Sequence, residues 1–95
     1  MLKSSKFLTL AQKGEKMKIY DFNGKKNIVG ARIKEARKRL DLSQENLAAR
    51  LQTEGINIER DSISRIEIGT RFVADFELVA LSRALSVTVD YLLGI

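Results

Sequence analysis

Cysteine, histidine, proline and tryptophan are all missing from this chain. Without cysteine there is no disulfide framework and no thiolate-bound zinc site. Without histidine there is no histidine-based catalytic triad, and the commonest transition-metal ligand is gone. No apolar run approaches the roughly 20 residues needed to span a membrane. The N-terminal stretch makes a poor secretory signal. Its apolar run from Phe7 to Ala11 is interrupted by Thr9, is short, and lacks a convincing small-residue cleavage site. A cytoplasmic protein with no metal and no cofactor is expected. No phosphate-cradling loop or paired-carboxylate constellation suggests an enzyme.

What is present is charge and helical period. The 95 residues allow one domain with one modest core. The net charge of +5 is unevenly placed. Residues 1–26 carry seven lysines against Glu15 and Asp21, a surplus of five. Residues 27–95 carry ten Lys and Arg against ten Asp and Glu, a surplus of zero. Any basic face on the folded part must therefore come from the placement of side chains and not from total charge.

Residues 1–26 read as an N-terminal extension. The first 16 have no sustained periodicity and are expected to be disordered or to lie upstream of the natural start. Met17 is a plausible initiator, because Lys13-Gly14-Glu15-Lys16 can be encoded by AAA GGA GAA AAA, a purine-rich ribosome-binding sequence. Asn23-Gly24 is a turn signal. Tyr20 and Phe22 alternate around Asp21 and are placed to fold back as an apolar latch.

Residues 27–95 read as five helices. The first runs from about Asn27 to Leu40, with Val29, Ile33, Ala36 and Leu40 on one face, and Asp41 makes the bend after it. The second runs from about Gln44 to Glu54. Ser43 caps it, since its hydroxyl can accept an orphan backbone N–H, and Leu47, Ala48 and Leu51 form its stripe. Gly55 breaks it, and Ile56 and Ile58 anchor the connector. The third is short, Arg60 to Glu67, with Ile63 and Ile66 inward and Gly69 at its exit. The fourth runs from about Asp75 to Leu85 with Leu78, Leu81 and Leu85 inward. The fifth is Val89 to Leu93, capped by Thr88 and ended by Gly94. Two helices of which the second is short, polar-faced and arginine-bearing form the plan of a helix-turn-helix DNA reader.

RIKEARKRLDLSQENLA, ISRIEIGTR and FELVALSRALSVTVDYLL resemble the phage repressor and Cro-type helix-turn-helix domain, the XRE family. The likeness covers about residues 29–93. It implies five helices around one core, with the third helix laid in the major groove of double-stranded DNA, and a homodimer on a near-palindromic operator with half-sites about one helical turn apart. Carried over by position, Gln44 matches a glutamine that approaches backbone phosphate. Arg60, Asp61, Ser62 and Arg65 match positions that face base edges or flanking phosphates, and Arg71 is a phosphate candidate after the glycine exit. Arg37 and Glu67 match an arginine–glutamate pair joining the first helix to the end of the third. Phe72, Val73, Val89 and Tyr91 are candidates for a dimer surface, as is Phe76, for which ordinary core is as good a reading.

Two features depart from the family pattern. The connector between Leu51 and Ile63 is longer than usual, and Glu59 and Asp61 put carboxylates at the start of the third helix. They support a rival expectation: a protein-binding module, antitoxin-like or antirepressor, on the same scaffold. Within the DNA-binding expectation, a repressor that occludes polymerase is favoured.

Overall fold

The computed structural model describes residues 21–95. Among these the architecture is all-helical: α1 (Gly30–Arg39), α2 (Gln44–Thr53), α3 (Arg60–Ile68), α4 (Asp75–Leu85) and α5 (Val89–Leu93). The expectations for residues 1–16 and for Tyr20 lie outside the described residues.

The core follows the apolar stripes. Ile33, Leu47, Leu51, Ile63, Ile66, Leu81, Leu85 and Leu92 are fully buried, with Val29, Ala36, Ala48, Ile58, Ala80 and Ala84 filling between them. Each helix supplies part of this cluster, so none is stable by propensity alone: burial of one such aliphatic side chain contributes about 1.5–3 kcal/mol. Leu40, expected on the core face of α1, is instead 39% exposed. It falls just past the helix, where the chain turns through Asp41 in the left-handed region (φ 59).

The helix ends are set by chemistry that local sequence only partly reveals. At α2, Ser43 Oγ accepts the Asn46 amide at 3.0 Å, as expected, and Asn46 closes the box back onto Ser43. Thr88 accepts the Tyr91 amide at the start of α5. Gly69 and Gly94 end α3 and α5 with positive φ. Ser86 takes the same left-handed role after α4, φ 57, without being glycine.

The first helix begins later than the pattern suggests. Asn27 lies outside it, and its Oδ1 accepts the amides of Val29 and Gly30 at 3.1 and 2.9 Å. Its Nδ2 donates to the carbonyls of Ile66 and Arg71 at 3.1 and 2.8 Å. One amide side chain thus starts α1 and fastens it to the exit of α3. Gly30 permits this approach, since a Cβ there would collide with the backbone carbonyl oxygens of Ile66 and Glu67.

The segment before α1 docks differently from the latch expected of it. Residues 22–25 form a tight turn with positive φ at Asn23 and Gly24, and Phe22 is exposed. The docking is through backbone and lysine instead. The Lys26 amide donates to the Gly69 carbonyl at 2.7 Å, and Lys25 Nζ donates to the Ile68 carbonyl at 3.3 Å.

The long connector leaves α2 and α3 packed together. Helix α2 ends at Thr53, the chain reverses at Gly55 (φ 85), and the Ile56 amide returns to the Leu51 carbonyl at 3.0 Å. Ile58 is buried and Ile56 packs partly against the core, as expected of both. Gln52 Nε2 donates to the Ile58 carbonyl at 2.9 Å, tying the helix to its own connector.

Candidate nucleic-acid interface

Helix α3 has two faces of opposite character. Ile63 and Ile66 point into the core, while Arg60, Asp61, Arg65 and Ile68 are exposed and Ser62 and Ser64 are half-buried. At 100° per residue, Asp61, Arg65 and Ile68 share one outward stripe, with Ser62 and Ser64 flanking it.

The inward edge of the helix is fixed by a buried polar network. Arg37 Nε donates to Glu67 Oε2 at 2.6 Å and Arg37 Nη2 to Glu67 Oε1 at 3.0 Å, a bidentate pair. The two side chains are only 9% and 2% exposed. Arg37 Nη1 also donates to the Leu42 carbonyl at 2.8 Å. Gln44 Nε2 donates to Glu67 Oε1 at 3.0 Å. Glu67 is therefore the point where α1, the first turn of α2 and the end of α3 meet. The pairing expected of Arg37 and Glu67 is present. Gln44 sits beside it with its amide turned to Glu67, while the first backbone N–H groups of α2 remain available to an anion.

The outward stripe contrasts with this. Arg60 and Asp61 pair at 3.1 Å with both side chains more than half exposed. Among the described residues Arg65 has neither an ion pair nor a side-chain hydrogen bond, and the i−4 pairing with Asp61 that its spacing allows does not form. Its guanidinium is open to a ligand.

Arg71, the phosphate candidate after the glycine exit, is engaged within the domain. Its Nη1 and Nη2 donate to Glu77 Oε1 and Oε2, both at 3.0 Å, and Nη1 also reaches the Phe72 carbonyl. Glu77 in turn accepts the Ala74 amide at 3.0 Å, closing the start of α4. The guanidinium of Arg71 holds the Glu77 carboxyl below its ordinary range against the opposing effect of burial, with help from the Ala74 N–H. The same bond raises Arg71 further. This pair stiffens the loop between α3 and α4.

The candidate dimer residues fall into two sets. Val73 and Tyr91 pack against the core and Val89 is half-buried. Tyr91 Oη donates to Glu35 Oε1 at 2.9 Å. That hydroxyl, followed by the charge of Arg39, lowers the Glu35 carboxyl below its usual value. Phe72 and Phe76 are exposed, and Lys26 Nζ stands 5.4 Å from the Phe72 ring centre. Asn27, Glu77, Lys25 and Lys26 are the positioning residues that sequence reasoning passed over. Their partners lie across the fold or depend on loop geometry, and only the N-cap preference of asparagine offered a local signal.

Among the described residues no helix is long and apolar enough to cross a membrane, and no cluster of carboxylates is arranged to hold a metal ion. Comparison with curated proteins finds no match. A helix-turn-helix family profile matches residues 33–92, from Ile33 in α1 to Leu92 in α5. With five helices in the expected order and a short, outward-facing α3 packed on α2, the chain belongs to the XRE-type helix-turn-helix family of DNA-binding domains.

Proposed function

We propose that this DNA-binding regulator lays α3 in the major groove of its operator and represses by occupying a promoter. The observation that carries the reading is Arg65: an exposed guanidinium, unpaired among the described residues, on a helix whose opposite edge is immobilised by Glu67. A positioned arginine is the commonest bidentate reader of guanine O6 and N7, worth about 1–3 kcal/mol of base discrimination. Ser62, Arg60 and the N-terminal amides of α2 at Gln44 supply phosphate contacts that set register. Asp61 neutralises Arg60 until DNA competes for it, or accepts from a cytosine amino group. Arg71 acts through Glu77, holding the loop after α3.

The operator is read by a homodimer, whose surface includes Phe76 and Val79, exposed on α4. The same exposed pair favours a second reading, a module whose α4 face binds another protein. Titration of the protein into duplex DNA from upstream of its own gene separates the two. We expect tight, salt-dependent binding that Arg65→Ala weakens by about 5- to 150-fold, the equivalent of that discrimination energy. Binding indifferent to both salt and Arg65→Ala sinks the groove reading and leaves the protein-partner one.

A further inference from the structure

The fold treats the isoleucines of α3 differently. Ile63 and Ile66 are fully buried in the core. Ile68 lies two residues beyond Ile66, about 200° around the helix, and is 58% exposed. It stands on the outward stripe with Asp61 and Arg65, an aliphatic side chain among charged neighbours.

A lone exposed aliphatic residue needs no explanation in itself, but the backbone that carries this one is clamped. Three consecutive residues before α1 each donate to a carbonyl at the end of α3. Lys25 Nζ donates to Ile68 at 3.3 Å, the Lys26 amide to Gly69 at 2.7 Å and Asn27 Nδ2 to Ile66 at 3.1 Å. These are the carbonyls that a helix end leaves without an intrahelical partner. A β-branched side chain in a helix also keeps largely to one χ1 rotamer. The methyl groups of Ile68 are therefore positioned before any ligand arrives.

Ile68 follows Arg65 by three residues, about 4.5 Å along the helix axis. That advance is comparable to one base step of a duplex, about 3.4 Å. An aliphatic side chain has no hydrogen-bond donor or acceptor, and the apolar group on the major-groove edge of a base pair is the C5-methyl of thymine. Against the amino and carbonyl edges of other bases the same side chain would displace water and return no hydrogen bond.

We propose that Ile68 packs on the C5-methyl of a thymine neighbouring the guanine read by Arg65, and so specifies a thymine in the operator. The inference rests on the groove reading for its location and adds a second base to it. Arg65 selects by hydrogen bonding, and Ile68 selects by the burial of one methyl group.

The test removes that methyl from the DNA. Deoxyuridine replaces thymine, one position at a time, in the duplex from upstream of the gene, which leaves every hydrogen-bonding edge and the protein unaltered. At a thymine beside the guanine, parent binding is expected to weaken about 4-fold, the worth of one buried methyl group. The same deoxyuridine is expected to change nothing for Ile68→Ala and to keep part of its effect for Ile68→Val. Circular dichroism melts of both variants are expected to match the parent, because the side chain lies outside the core. A parent indifferent to every thymine methyl, or a penalty that persists undiminished in Ile68→Ala, overturns the inference. If Arg65→Ala still weakens binding in that case, the groove reading stands without it. A methyl penalty that vanishes in Ile68→Ala supports the inference even where Arg65→Ala has no effect, and only the role of Arg65 then falls. Absence of any duplex binding by the parent overturns both.

Discussion

Helix α3 takes part in two arginine–carboxylate pairs that differ in almost every respect. Arg37–Glu67 is buried, bidentate and joined by Gln44, while Arg60–Asp61 is a single contact between neighbours in solvent. The first pair closes a gap between three helices and has no competitor. The second competes at every moment with water. Burial separates a charge that fixes a shape from one that stays in solvent, although both look alike in the sequence. The Arg71–Glu77 pair lies between the two extremes, with its arginine partly open to solvent.

That ranking breaks if the variants do not follow it. The largest effect belongs to Glu67→Ala, which leaves the Arg37 guanidinium charged and buried without its partner. A loss of about 3–5 kcal/mol is expected in denaturant or thermal unfolding, far more than Arg65→Ala produces. Equal melting temperatures for the two variants would overturn the assignment of roles.

The intermediate pair shows itself through pH. Because Arg71 holds the Glu77 carboxyl below its ordinary value of 4.5, the unfolded chain takes up this proton first as acid is added. The stabilisation is therefore fully present above that pH and is lost as pH falls through the lower, folded value. Glu77→Gln is expected to flatten the stability profile below about pH 4.5 while lowering stability near neutrality. A parallel, vertically shifted profile would show that Glu77 is not the titrating group.

The smallest change in stability is expected at the exposed pair. Asp61→Ala is expected to alter it by about 0–1 kcal/mol. Removing this carboxylate should nevertheless tighten binding to unrelated DNA, because Arg60 is then free for phosphate. Filter binding at low salt checks the direction, and unchanged or weaker binding would show that Asp61 does not hold Arg60 back from phosphate.

The framework of this domain was legible because its signals are local. Ser43, Thr88, Gly69 and Gly94 announce helix ends within a few residues, and the spacing of Ile63 with Ile66 gives the inward face of α3 directly. The Arg37–Glu67 pair was legible only through family resemblance. What could not be read depends on distance in space. Asn27 serves carbonyls 39 and 44 positions away, and a backbone bond between Lys26 and Gly69 takes the place expected of Phe22. That Arg71 pairs with Glu77 could not be read either, because nothing in its neighbourhood shows that Glu77 folds back to it. On the outward stripe, composition names the candidates, while their availability depends on which partners reach them.

The connector between α2 and α3 has a wider consequence. The pose of α3 is set by Ile58 in the core and by Glu67 at the far end, so the intervening Gly55-to-Asn57 reversal is a spacer and not a hinge. Closing a longer loop adds only about 0.6 kcal/mol for each doubling of its length. Residues added at this reversal should therefore leave the pose of α3 unchanged, because both of its anchors lie outside the reversal.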